Sequence, residues 1–211
     1  TLNGNDIEKV NNFTYLGNYI SNDGNITKEV KIRIAKAAAI FRKLNTIWKS
    51  NNISRNLKLK IFNSNVITSL SYGSECWYST KAIEEKLITF ENKCLRKIMN
   101  IRWYEFKTNK EIREMSKQPY ITTVIRSRRW GYYGHALRMN DTKIPKQLTK
   151  WNTAGKRKRG RPKESLRRTL ERKDKVIGLQ CRQNHADAAA DRISWKKMVS
   201  TLCISLDAGG Q

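Results

Sequence analysis

The stretch Asn25-Ile26-Thr27-Lys28-Glu29-Val30-Lys31-Ile32-Arg33-Ile34-Ala35-Lys36-Ala37-Ala38-Ala39-Ile40-Phe41-Arg42-Lys43-Leu44 changes the hydrophobic period of the chain to that of a helix. Val30, Ile34, Ala37, Ala38, Phe41 and Leu44, followed by Trp48, fall on one face of a helix starting near Thr27. At about 100° per residue, Lys31, Arg42 and Lys49 share one flank of that helix, with Lys28 near them. Glu29 is the sole acid between residues 26 and 50. A flank of one sign fits a phosphate-facing stripe, and a solvated helix surface has the same composition.

Upstream of this helix the pattern is extended. Ile7-Glu8-Lys9-Val10 and Phe13-Thr14-Tyr15-Leu16-Gly17-Asn18-Tyr19-Ile20 mix β-branched and aromatic residues with polar ones, and Asn11-Asn12 and Asp23-Gly24 supply turn chemistry. A two-stranded ribbon does not hold together alone in water, so this one must pack on the helices or on a sheet further upstream. Downstream, the spacing predicts helices from Ser54 to about Leu70 and from Thr80 to about Met99. Thr108-Asn109-Lys110-Glu111 is a capping box opening a short helix that Pro119 stops. Thr122 or Thr123 is the expected cap of the next helix, in which Gly131 and Gly134 would let a neighbour pack closely. A last helix is expected from Ala186 to about Leu202. The fold class is therefore mainly α with a short N-terminal β-hairpin.

Charge narrows the function. The 211 residues carry 43 Lys+Arg against 18 Asp+Glu, a formal net charge of +25. The excess sits in residues 26–50 (+6), 121–150 (+6) and 151–175 (+8), while residues 1–25 carry −2 and 176–211 only +1. A body so charged repels itself unless it lies against something anionic, so nucleic acid leads and a small-molecule enzyme recedes. With 19 aromatic residues the chain is not disordered throughout. No stretch approaches the roughly 18 apolar residues of a membrane span, and no apolar signal region follows the first residues. The strongest basic run does not lie on an amphipathic helix, which disfavours a membrane-surface role. Cys76, Cys94, Cys181 and Cys203 are too scattered for a secreted disulfide framework and are expected as reduced thiols inside a cell. The chain begins Thr1-Leu2-Asn3 and is expected to be part of something longer.

The most informative string is Lys156-Arg157-Lys158-Arg159-Gly160-Arg161-Pro162-Lys163. Gly160 and Pro162 keep it from being helical, so an extended strip is expected. Arg-Gly-Arg-Pro with basic flanks resembles the AT-hook: Gly lets the backbone lie deep in a narrow minor groove, Pro holds it extended, and the arginines follow the negative potential. A nuclear localisation signal or a nonspecific polybasic linker has the same composition. Arg167 and Arg168 continue the charge on a following helix, and Arg126, Arg128, Arg129 and Arg138 supply it on the helix before. Other chemistry is thinly represented. Cys181 and His185 have a zinc-like spacing without a second pair. Asp187 and Asp191, at i,i+4, fit helix-surface charge better than a metal site. Cys94 sits in an apolar stripe with Leu87, Phe90, Leu95 and Ile98, as a small core residue would. No phosphate loop and no metalloprotease His pair occurs.

Several strings, taken in order, resemble the C-terminal part of a non-LTR (LINE-like) retrotransposon endonuclease–reverse transcriptase. They are Phe13-Thr14-Tyr15-Leu16-Gly17, Ile20-Ser21-Asn22-Asp23-Gly24, Lys36-Ala37 with Lys43-Leu44, Tyr72-Gly73-Ser74-Glu75-Cys76-Trp77 and Phe90-Glu91-Asn92-Lys93-Cys94-Leu95-Arg96. Arg129-Trp130, Gly134-His135 and Leu137-Arg138-Met139 follow, then residues 155–162, and Asp191-Arg192 with Trp195-Lys196. The resemblance covers residues from about 7 to 202. It implies that residues 1–25 end a polymerase palm, with Phe13, Tyr15, Leu16 and Gly17 near the primer grip. Residues 26–100 would form a helical thumb, 101–150 a basic aromatic connector, 151–175 a basic arm and helix, and 176–211 a C-terminal helix and tail. The partners implied are RNA and DNA: a template–primer duplex and target DNA, met in the nucleus. Such polymerases hold Mg²⁺ on a Tyr/Phe-x-Asp-Asp turn, and no Asp-Asp pair occurs here. The resemblance thus places Mg²⁺ and catalysis in an upstream palm and leaves this chain without a cofactor and inactive alone. The alternative is a non-enzymatic DNA-tethering or chromatin protein built around the AT-hook-like string.

Overall fold

Asn12–Tyr15 (β1) and Asn18–Ser21 (β2) pair antiparallel, with Phe13 opposite Ile20 and Thr14 opposite Tyr19. The computed structural model describes Glu8, residues 10–150 and residues 182–208. The basic run 156–163, the helix expected through Arg167 and Arg168, and Cys181 lie outside the described residues. The hairpin connection, Leu16-Gly17, has φ of +47° and +78°, the positive values that a turn matched to strand twist requires. Leucine is strained there, and two side chains from elsewhere hold the turn. Tyr72 donates its hydroxyl to the Leu16 carbonyl (3.1 Å), and Arg33 donates to the Gly17 carbonyl (2.7 Å).

Arg33 also donates to Asn18 Oδ1 and to Glu29 Oε1, both at 2.7 Å, while Glu29 Oε2 accepts the Tyr19 amide at 2.7 Å. Both members of this ion pair are buried. A charged pair survives out of water only when its remaining lone pairs and protons are satisfied, and here they are spent on the hairpin backbone. The ribbon is thereby fastened to the first helix. Phe13, Tyr15, Leu16 and Ile20 nonetheless remain more than half exposed.

The first helix, α1 (Ile26–Lys43), is capped by Asn25, whose side chain accepts the Thr27 amide at 2.9 Å. It buries Val30, Ala37 and Phe41 as its spacing predicts, but it ends at Leu44, and a separate short helix, α2 (Asn45–Lys49), follows. Lys49 therefore does not continue the Lys31–Arg42 flank of one straight helix. Trp48 explains the break: it stacks on Phe41 with ring centroids 5.0 Å apart and donates its indole N–H to the Phe41 carbonyl (2.8 Å).

The second helical run starts after Ser54 as expected, with α3 (Arg55–Ile61), a π-helical stretch (Phe62–Ile67) and α4 (Thr68–Leu70). The wide turn has a local cause. Ser64 and Asn65 both donate side-chain hydrogen bonds to the Ile61 carbonyl, and Thr68 donates to that of Ser64, competing with the backbone ladder. Next come α5 (Lys81–Ile98), capped by Thr80, and α6 (Asn109–Ser116), opened by the Thr108–Glu111 capping box.

The helix α7 (Ile121–Arg138) is not capped by Thr122 or Thr123. Its first amide, Ile121 N–H, donates instead to Glu91 Oε2 of α5 at 3.1 Å. The same oxygen accepts from Arg113 of α6 at 2.8 Å. Arg113 also donates to Asn92 Oδ1 (3.1 Å) and the Pro119 carbonyl (3.0 Å), and its guanidinium lies 4.2 Å from the Tyr120 ring centroid. A buried carboxylate against a helix N-terminus replaces the local cap.

After α8 (Ile144–Lys150), the described chain resumes with α9 (Arg182–Ala190) and α10 (Arg192–Ala208). The single helix expected from Ala186 is thus broken at Asp191. Its carboxylate accepts the Ile193 and Ser194 amides at 2.9 and 3.1 Å, so it caps a new helix. Among the described residues no helix is long and apolar enough to cross a membrane.

Two cores result. The larger joins α1 to α6 and the start of α7 around Phe62, Leu70, Leu87, Leu95, Ile112 and Ile121. The smaller joins the rest of α7 to α9 and α10 around Trp130, Ala189, Trp195, Val199 and Leu202. No single face of α7 is apolar throughout, because its two halves are buried against different partners. Trp195 lies across Gly134 and donates its indole N–H to the Trp130 carbonyl (3.1 Å). A Cβ at Gly134 would overlap the Trp195 ring, whereas one at Gly131 would meet open space. Gly134→Ala should therefore destabilise the chain by about 1–3 kcal/mol through overpacking. Gly131→Ala should stabilise it by about 0.4–1 kcal/mol through lower backbone entropy. Chemical denaturation of the two variants checks this, and equal effects would show that α10 does not seat on Gly134.

Candidate nucleic-acid interface

The cations of α7 divide into structural and surface groups once the helix is packed. Arg129 is buried and donates to Ser79 Oγ at 3.1 Å. Burial pulls its guanidinium down to about 10, an effect that the Glu84 carboxylate partly offsets. It ties α7 to the segment before α5 and cannot reach a phosphate, contrary to the expectation from sequence. Arg128 donates to the Ser71 carbonyl at 3.2 Å and lies 3.9 Å from Glu75, yet its side chain stays partly open. Arg138 donates to the Ala189 carbonyl at 2.9 Å, closing the C-terminus of α9, where a cation is favoured. Arg126 is half-buried.

Arg128 and Arg138 line a groove of about 670 Å³ between α7 and α10. The opposite wall carries Arg192 and Lys196, and His135 and the exposed backbone of Gly131 complete it. Among the described residues no carboxylate lines this groove. Four cations, of which Arg128 lies near a carboxylate (Glu75, 3.9 Å), on a surface open to water, hold a field that an anion of matching length would neutralise. Reading along the chain missed Arg192 and Lys196, because residues 176–211 have almost no net charge. Their signal was spacing: they are i,i+4 on α10, on the side that faces α7 once Trp195 is buried between them.

The other expected positions are distributed differently. Lys28, Lys31 and Arg42 stand exposed on α1, and Lys49 stands exposed on α2. They belong to different elements from the groove, with α5 packed against both α1 and α7. Phe13 and Tyr15 present exposed rings, and Leu16 and Gly17 form the exposed hairpin turn. Lys156, Arg157, Lys158, Arg159, Gly160, Arg161, Pro162, Lys163, Arg167 and Arg168 lie outside the described residues.

Cys94 and Asp191 are held in structural roles. Cys94 is buried in the larger core, and its thiol is pushed up to about 12 by burial, with Glu91 adding to the shift. The Asp191 carboxylate is held below its usual range by the Ser194 hydroxyl and the amides it caps. Among the described residues, no three His, Cys, Asp or Glu side chains gather where they could hold a metal ion.

The comparisons with known proteins agree with a distant relationship and go no further. No protein-family model matches the sequence, and no solved structure matches the chain. Over 149 residues the chain is 26% identical to a Caenorhabditis elegans protein named as transposon-derived and uncharacterized. The aligned part is 69% of this chain and 53% of that protein, so the chain spans about half the length of the curated relative it matches.

The division of cations is open to measurement. Arg129→Ala should lower stability by about 2 kcal/mol, since it empties a buried site and strips Ser79 of a donor. Arg192→Ser with Lys196→Ser should stay within about 0.5 kcal/mol of the parent in the same denaturation series. Comparable losses in both would mean that the groove cations are structural too.

Proposed function

We propose that this chain is a nucleic-acid-holding part of a transposon-derived RNA-directed DNA polymerase of the non-LTR type, gripping template–primer and target DNA while chemistry proceeds elsewhere in a longer protein. The observation that carries this reading is the cationic groove between α7 and α10, lined by Arg128, Arg138, Arg192 and Lys196. The net charge of +25, the ordered motif strings and the similarity to a transposon-derived protein support it. The exposed aromatic hairpin at Phe13 and Tyr15 fits a primer-grip position, and the α1 cations Lys28, Lys31 and Arg42 fit a thumb flank. Two-metal phosphoryl transfer needs clustered carboxylates to hold Mg²⁺. The sequence has no Asp-Asp pair, and among the described residues no three His, Cys, Asp or Glu side chains gather, so no catalytic step is assigned to them.

The physical basis is counterion release. Each phosphate neutralised by a lysine or arginine frees condensed cations, so affinity falls with salt in proportion to the contacts made. Five to eight contacts should give a log–log salt slope of roughly −4 to −7 on an RNA–DNA heteroduplex, read by fluorescence anisotropy. Arg192→Ser with Lys196→Ser should flatten that slope by about 2 and weaken all sequences alike. A flat salt response in the parent chain would overturn the reading. The string at 156–163 favours a second reading, a chromatin tether of AT-hook type. In that case neutralising those residues would reduce binding selectively on A·T-rich duplex and leave other sequences nearly unchanged.

A further inference from the structure

Between α5 and α6 the chain displays three aromatic rings in water. Trp103 is 87% exposed, Phe106 85% and Tyr104 53%. This is not a loose loop. Its entry is tied by the Ile101 amide donating to the Arg96 carbonyl (2.9 Å), and Ile101 packs on the larger core. Its exit is tied by Arg96 Nη2, which donates to the Lys107 carbonyl (2.9 Å) and to Asn109 Oδ1 (3.0 Å). Between those ties, Trp103–Glu105 forms one 3₁₀ turn, closed by the Arg102 amide donating to Glu105 Oε1 at 2.7 Å. Trp103 and Tyr104 meet edge to face at 5.8 Å. Phe106 then adopts φ +45°, a left-handed conformation that costs a bulky residue energy.

We propose that this loop is a stacking site for the unpaired bases of a single-stranded nucleic acid; the inference rests on the reading that the chain holds nucleic acid, and extends it to a separate place on the surface. Two features specify the occupant. The rings are exposed and offer flat faces, on which any base can stack. The surroundings are cationic: Arg102, Lys107 and Lys110 lie in or beside the loop, and Lys97 lies at the end of α5. The loop's one acid, Glu105, is already engaged by the Arg102 amide and by Lys107 at 3.4 Å. Rings flanked by cations suit a strand that offers both unpaired bases and phosphates. A duplex, with its bases paired and stacked, offers only the phosphates.

The test compares the full chain with a Trp103→Ala/Phe106→Ala double variant on three probes: a short single strand, the same backbone without bases, and a duplex of equal length. Both rings are almost fully exposed, so the core is untouched, and circular dichroism confirms that the variant folds. The expected result is a loss of roughly tenfold or more on the single strand, with little change on the other probes and an unchanged salt slope. Trp103→Phe alone, keeping a ring, should retain most of the affinity. Equal losses on all three probes would overturn the proposal, because the loop would then act through charge or structure. So would a variant that binds the single strand as the parent does; the groove reading would survive that result. If the parent chain binds none of the nucleic acids, both readings fall together.

Discussion

Glu91 is a carboxylate almost wholly removed from water, and the placement of α7 depends on how it is satisfied. One of its oxygens holds the Arg113 guanidinium and the first amide of α7 together, joining α5, α6 and α7 at a single point. Removing one partner of such a set leaves an uncompensated buried charge, typically a loss of about 3–5 kcal/mol. The consequence is geometric as much as energetic. With its N-terminus pinned, α7 points its second half away from the larger core and offers Trp130 and Gly134 to α10. The cationic groove exists because of that seat.

A second buried pair, Glu29 with Arg33, plays the corresponding part at the other end of the chain. It fastens a hairpin whose own side chains are largely exposed. In both places an arginine in a strongly basic protein is consumed by architecture. Arg33, Arg113 and Arg129 are buried, and Arg128 and Arg138 each give one hydrogen bond to a backbone carbonyl. Net charge therefore overstates the number of cations available to a partner. Among the described residues, exposed cations include those of α1 and α2, the groove, and the surroundings of the aromatic loop.

The motif strings take on a different meaning in this light. Tyr72 holds the hairpin turn, and Gly73 lets Asn18 approach so closely that a side chain there would collide with it. Glu91 and Asn92 receive Arg113, Arg129 reaches Ser79, and Gly134 receives Trp195. These residues join elements to one another. The motif strings thus include several joints of the fold, positions where a change would separate one element from another.

Read alone, the sequence determined what depends on neighbours in the chain: the hairpin, the helices starting near Thr27, Ser54, Thr80 and Thr108, the burial of Cys94, and the concentration of charge. Those features arise from capping, period and composition, all within a few residues. It misplaced what depends on distant groups. The cap of α7 comes from Glu91, thirty residues earlier, and local threonines gave no hint of it. The break at Leu44 follows from Trp48 folding onto Phe41, and the break at Asp191 from a capping carboxylate within a run of alanines. Arg129 read as a surface cation because helical spacing cannot tell which of two cores will claim a residue. Tertiary structure alone brought Arg192 and Lys196 opposite Arg128 and Arg138, since a groove belongs to two helices and neither sequence segment contains it.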